Sequence, residues 1–316
     1  MKQSPLYIAV PCMSPESGAN DAQRIAVVVG GTDGIGKEIA LGLARRHYRL
    51  IVAGRDAVKG ARASDELIAN GASGAIFLEA DLSLIGQARR LAELITGSIP
   101  RLHVLVHSAG VVLGSRQLTA EGLERNFTTN YLSRFVLTQQ LLPLLERSGS
   151  ADRPAKILLI GGGARGGKIY FDDVNLTGNF RTLRAVLQIC KTNDTFAIEL
   201  ARRLLAAQAN VDVACLKVGV VKTNIRRTFP RWMKWLVPIL IDPLLAQPAS
   251  TVADSAQRLI AGDERSRDGV LFSHILRFKR LRPERDMIDR HLGMRLWALS
   301  EQLSTGALAV EAGSRQ

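Results

Sequence analysis

The amino-acid sequence predicts a single α/β domain on a doubly wound parallel sheet, and three observations carry that expectation. Short, almost wholly apolar runs alternate with longer amphipathic ones along most of the chain. The short runs lack the in–out alternation of a half-exposed strand, which suits strands covered by helices on both faces. A glycine-rich turn, "GGTDGIG" (30–36), follows the first apolar run directly and opens the first amphipathic one. In an open α/β sheet, ligands bind beyond such strand ends.

Each element follows in order from these signals. "RIAVVV" (24–29) reads as the first strand, and the periodic stretch Gly34–Arg46 as the helix returning over the sheet. "RLIVAG" (49–54) with helix Ala57–Ala69, "AIFLEA" (75–80) with helix Leu84–Leu94, and "LHVLVH" (102–107) with helix Thr119–Leu145 repeat the unit. "KILLIG" (156–161) leads to helix Thr182–Leu205, "VDVACLK" (211–217) to helix Ser250–Ala261, and "GVLFS" (269–273) closes the series. Strand-then-helix repeats imply parallel pairing through right-handed crossovers. No internal repeat, low-complexity tract or linker divides the chain. One domain is therefore expected over 23–305, with a flexible leader at 1–22 and a flexible tail at 306–316.

Composition narrows the function. The chain has 316 residues and a formal net charge of +13, which suits a solvated basic surface or an anionic partner such as a phosphorylated cofactor. Its densest basic run, "RFKRLRPER" (277–285), lacks the interleaved aromatics of a single-strand platform. No helix-turn-helix or zinc-finger pattern is present either, so nucleic acid is not an expected partner. Cys12, Cys190 and Cys215 stand far apart, without histidines at ligand spacing. Neither a disulfide framework nor a metal site is expected, and a reducing cytoplasm is the default. No run reaches the roughly 18–20 apolar residues that span a bilayer.

The glycine turn is the first functional signal. Gly30, Gly34 and Gly36 sit between a strand and a helix, where backbone amides and the helix N-terminus can approach a pyrophosphate. The same stretch satisfies Gly-x4-Gly-Lys from Gly31 to Lys37. Glu38, however, stands where a nucleotide-hydrolysing P-loop needs Ser or Thr to hold magnesium.

Further landmarks follow in sequence: "VGGTDGIG" (29–36), "ADLS" (80–83), "HSAG" (107–110), "NFTTNYLSRFVLTQQLLPLL" (126–145) and "GVVKTNI" (219–225). In these the chain resembles the short-chain dehydrogenase/reductases. "FDDVNL" (171–176) and "RLWALSEQL" (295–303) resemble the retinol-dehydrogenase and WW-domain-oxidoreductase branch. The resemblance spans roughly 24–305 and implies a Rossmann fold with a nicotinamide dinucleotide across the sheet. It implies that Gly30, Thr32, Asp33, Gly34, Ile35 and Gly36 hold the phosphates and that Asp81 and Leu82 pack on the adenine. Ser108, Ala109 and Gly110 would line the floor, with Lys191 at the ribose and Gly219, Val220 and Thr223 at the nicotinamide. Arg55 stands where the family often places a base for the 2′-phosphate, and no acidic residue ends the second strand, so NADP(H) is expected in preference to NAD(H). Asp33 can lie near that phosphate and would oppose it. The long helices Thr119–Leu145 and Thr182–Leu205 correspond to the family's dimer-forming pair, so a homodimer or homotetramer is expected. The region 223–248 corresponds to the substrate lid. Within it "FPRWMKWLVPILIDPLL" (229–245) sets Trp232 and Trp235 beside Arg231 and Lys234, a mixture that also suits a membrane surface.

The family transfers hydride with a tyrosine as acid–base, a lysine four residues later, a serine after the fifth strand and a helical asparagine. Asn130 and Lys191 match two of these. At the other two positions the sequence departs from the family: Gly162 stands for the serine, and Leu187 for the tyrosine when counted from Lys191. Counting back from "ELARRL" (199–204) puts Val186 there instead. Neither register supplies a phenol. Tyr170 on the glycine loop, Lys191 and Cys190 are the candidate substitutes, and the glycines of "GGGARGG" (161–167) read as an active-site wall stripped of its hydroxyl. The function expected is an NADP(H)-dependent oxidoreductase with altered acid–base machinery, acting on a bulky apolar substrate of secondary-metabolite type. The alternative is a non-redox protein of the same fold, a dinucleotide-sensing binder or a template for cyclisation or isomerisation.

Overall fold

The computed structural model describes residues 23–218, 248–262, 270–274, 279–280 and 283–313, with only the backbone course of 270–274, 279–280 and 307–313. Among these residues eight strands form one sheet: β1 (Ile25–Val29), β2 (Arg49–Gly54), β3 (Gly74–Glu79), β4 (Val104–His107), β5 (Ala155–Gly162), β6 (Val211–Val218), β7 (Val270–His274) and β8 (Lys279–Arg280). Their order is β3-β2-β1-β4-β5-β6-β7-β8. All neighbours pair parallel except β8, which runs antiparallel to β7.

The helices are α1 (Gly34–Ala44), α2 (Ala57–Ala69), α3 (Ile85–Ser98), α4 (Arg125–Phe127), α5 (Ser133–Glu146), α6 (Thr182–Ala206), α7 (Ala249–Ala261) and α8 (Arg290–Gly313). They cover both faces, as the unbroken apolar runs require. Along β1, Val27 and Val29 enter a core built with α3, α5, α6 and α8. Ala26 and Val28 enter a second core built mainly with α1 and α7. The chain moves outward from β1 through β2 to β3, then returns so that β4 lies on the other side of β1. This reversal opens a crevice at the carboxyl ends of β1 and β4.

Besides β8, which was not among the seven strands expected, three elements differ from the sequence reading. The helix expected from Thr119 begins only at Arg125. Glu124 caps it by accepting from the Phe127 amide at 2.8 Å, and Leu118 and Glu124 close a bridge around a turn with Gly122 at φ +75°. Between α4 and α5, Thr128–Leu132 winds as one π turn, a local widening that recurs at functional sites. Finally, α8 continues to Gly313, into the stretch expected to be tail.

Candidate functional site

The site begins with backbone packed on backbone. Gly30 turns at φ +84°, and a Cβ there would lie 2.5 Å from the Ala109 amide nitrogen. A Cβ on Gly36 would lie 2.2 Å from the Gly30 carbonyl oxygen. Both glycines are therefore required by space, one against the loop after β4 and one against the turn itself. The amides of Ser108 and Ala109 both donate to the Val29 carbonyl, at 2.8 and 2.9 Å, fixing that loop beside the turn. Asp33 caps α1 through the Gly34 amide at 2.8 Å, and its other oxygen accepts from the Lys59 ammonium at 2.8 Å. The remaining first-turn amides of α1 have no partner within the helix. The tight glycine turn and these first-turn amides form a cradle that suits a pyrophosphate.

A cavity of about 830 Å³ runs from this cradle along the sheet's carboxyl edge. Its β2 end is lined by Thr32, Arg55, Lys59 and Leu82, and its middle by Ser108, Ala109 and Gly110. Its β6 end is lined by Asn130, Gly161, Gly162, Val186, Cys190, Asn193 and Lys217. Asp33, Gly34 and Ile35 also face it. Asp81 lies outside the lining: its carboxylate accepts from the Ser83 amide at 3.0 Å and caps the turn leading to α3.

The β6 end decides the chemistry. Asn130, on the π turn, accepts from the Val111 amide at 3.0 Å and donates to the Val111 and Asn126 carbonyls at 2.8 and 2.7 Å. Its own carbonyl accepts from the Asn193 side chain at 3.1 Å. Behind it the buried Arg134 donates to the carbonyls of Ile160 and Ala109, at 2.9 and 2.8 Å, and to Asn193 Oδ1 at 3.2 Å. It thereby ties the ends of β4 and β5 to α6. Burial pushes this guanidinium down to about 10, so it remains a cation at neutral pH.

Helix phase overturns the expectation for Lys191. The positions of α6 that line the cavity are Val186, Ile189, Cys190 and Asn193, spaced as one helical face. Lys191 is a further 100° around the helix. Its ammonium is held instead by Asp286 at 2.5 Å and Glu284 at 3.1 Å. Counting from the downstream "ELARRL" block was the register consistent with this phase, placing Val186 and Cys190 where the tyrosine and lysine were sought. Tyr170 does not reach the cavity either: its ring lies between the Lys168 ammonium and the Arg184 guanidinium, 5.7 and 5.0 Å from the ring centre. Tyr131, beside Asn130, is fully buried with its hydroxyl 2.6 Å from Ser300. Among the described residues, no tyrosine lines the cavity.

Comparison with known proteins agrees with this fold. The family model described as short chain dehydrogenase matches residues 24–162. Retinol dehydrogenase 12 of Mus musculus is 30% identical over 282 residues, covering 89% of this chain and 86% of that protein. Polyprenol dehydrogenase of Mus musculus is 32% identical over 236 residues, covering 72% of this chain and 69% of that one. The chain belongs to the short-chain dehydrogenase/reductase family, in its retinol-dehydrogenase-like branch. Among solved structures, RhlG of Pseudomonas aeruginosa in an active-site complex with NADP is 28% identical, with a TM-score of 0.61 over 79% of this chain and 94% of that one. A protein of Mycobacterium paratuberculosis is 26% identical, with a TM-score of 0.67 over 90% of this chain and 94% of that one.

In this member of the family the two glycines that end β5 differ in surroundings. Among the described residues nothing lies within 4 Å of a Cβ built on Gly161, whereas one on Gly162 would meet the Cys190 sulfur at 2.9 Å. Cys190 thus occupies room that the side chain of a serine at Gly162 would need. Burial raises its thiol, with the Lys217 ammonium opposing, so it is protonated at neutral pH. Gly219, Val220, Thr223 and the stretch 229–245 lie outside the described residues. Arg134, Asn193, Lys59 and Lys217 were not singled out from the sequence. For Asn193 the downstream register was an available signal; the other three are recognisable only once strands and helices are assembled. Among the described residues no helix is long and apolar enough to cross a membrane.

Proposed function

We propose that this chain is an NADP(H)-dependent oxidoreductase that converts a bulky apolar carbonyl or alcohol without a tyrosine acid–base. The observation that carries the reading is the single continuous cavity joining the glycine cradle to Asn130 and the glycine-lined end of β5. A bound nicotinamide would supply hydride there. The chain's own residues then have separate tasks. The cradle binds and orients the phosphates, while Arg134 fixes the β4 and β5 ends that form the floor. Gly161 leaves space for a wide substrate.

The phosphate-bearing cofactor is supported at the β2 end, where Arg55 and Lys59 line the cavity. The Lys59–Asp33 pair offsets the carboxylate that would otherwise repel a 2′-phosphate. The RhlG relative, solved with NADP, points the same way. A large apolar substrate is supported by the names of the retinol and polyprenol dehydrogenases among the relatives.

The test is NADPH consumption with long-chain apolar aldehydes and a 3-oxoacyl thioester. Turnover is expected, slowed by about 10²–10⁴ for want of positioned proton transfer. No NADPH oxidation with any of them sinks the redox claim. The second reading, a dinucleotide-binding template without hydride transfer, is favoured by one specific observation: no described tyrosine faces the cavity. Under that reading Val186→Tyr with Cys190→Lys and Gly162→Ser creates reductase activity in an otherwise inert chain.

A further inference from the structure

Turning Lys191 toward Glu284 and Asp286 removes the expected ammonium from the α6 wall, and the sulfur of Cys190 takes the cavity-facing place. Yet the β6 end does hold an ammonium. Lys217 is 6% exposed, lines the cavity, and pairs in register with Gly161 on the adjacent strand. Its Nζ donates to Asp194, which α6 presents one turn beyond Cys190. Lys217 and Cys190 line the same end of the cavity. The neighbouring Arg134 has two of its nitrogens committed to backbone carbonyls and Asn193.

We propose that Lys217 supplies from β6 the cation that α6 has turned away, and that it binds the sugar hydroxyls of the nicotinamide half of the dinucleotide. Asp194 positions it. A lysine on a strand end can serve this purpose because Nζ, not the backbone it hangs from, makes the contact, and three donors on a flexible stem adapt to a vicinal diol. The proposal rests on the dinucleotide reading above.

The experiment is fluorescence titration with NADPH of the wild type and of variants checked for a cooperative melt. Asp194→Asn keeps Lys217 and avoids burying an unpaired carboxylate in the next step; because it loosens the hold on Nζ it is expected to weaken NADPH by about threefold and serves as the reference for the double variant. Adding Lys217→Met is expected to weaken NADPH by about tenfold or more, the worth of a charge-assisted hydrogen bond. Adding Cys190→Lys to that double variant returns an ammonium from the α6 side and is expected to restore affinity. Lys191→Met serves as a further arm and is expected to bind as wild type. A double variant as tight as Asp194→Asn alone overturns the assignment. So does a loss that Cys190→Lys leaves unrepaired, since the defect would then be structural, and so does a loss in Lys191→Met. If the wild type binds no NADPH, the dinucleotide reading itself falls, a result distinct from all of these.

Discussion

Serine at position 162 would compete with the Cys190 sulfur for one volume, and this residue-scale conflict makes the departure from the family a coupled one. A Cβ at Gly162 stands 2.9 Å from Sγ. Gly162→Ser alone is therefore expected to cost about 1–3 kcal/mol by overpacking. Adding Cys190→Ala is expected to return most of it. Thermal melts of the two single variants and the pair measure this; strictly additive losses would show that the two positions do not share space. At the opposite end, Arg55→Ala should weaken NADPH by about tenfold, the worth of one charge-assisted contact, and leave NADH unchanged. Titration with both nucleotides decides it, and equal losses would remove Arg55 from the 2′-phosphate. The glycines of the first turn were legible as residues because sterics fix them: only Gly tolerates φ +84° with Ala109 at the distance found. Lys191 was misread because residue type was matched before helix phase.

Among elements, α6 shows how one residue of register redistributes chemistry. Its cavity face presents Val186, Cys190 and Asn193, and its next face presents Lys191 to the segment before α8. There Glu284 also accepts from the Gly166 amide at 3.0 Å, so one carboxylate joins the glycine loop to α6. Burial alone would raise Glu284, yet these hydrogen bonds and the Lys191 charge hold it below its ordinary value of 4.5. A carboxyl lowered in the folded chain contributes stability above its unfolded pKa and loses it as pH falls through the folded one. The melting-temperature advantage of the wild type over Glu284→Gln should be full at neutral pH and shrink below about pH 4.5. An advantage that holds constant into acid would show that the carboxylate charge does not matter. Helix α8, absent from the sequence reading, is interrupted in pattern by Gly293 and Gly306. Its buried side is defined largely by partners distant in sequence, such as Tyr131, whose hydroxyl meets Ser300.

For the molecule as a whole, the parallel sheet was legible because strands buried on both faces must be apolar throughout, a pattern independent of any site. How the outer layer closes was not. Trp297 of α8 packs against Phe135 of α5 and Phe196 of α6, with ring centres 5.2 and 6.0 Å apart. It thus covers part of the helix pair expected to meet a second subunit. Trp297→Ala is expected to cost about 3–5 kcal/mol in chemical denaturation. A cost under about 1 kcal/mol, the range of surface substitutions, would show that α8 is peripheral. The sheet, its crevice and the cradle serve one claim: a nicotinamide dinucleotide lies across the carboxyl edge from the β2 end to the β6 end. Calorimetric titration of the intact chain with NADPH and NADH tests that claim most directly. One saturable site per chain, tighter for NADPH, is the predicted result, and no heat from either nucleotide at millimolar concentration would contradict it.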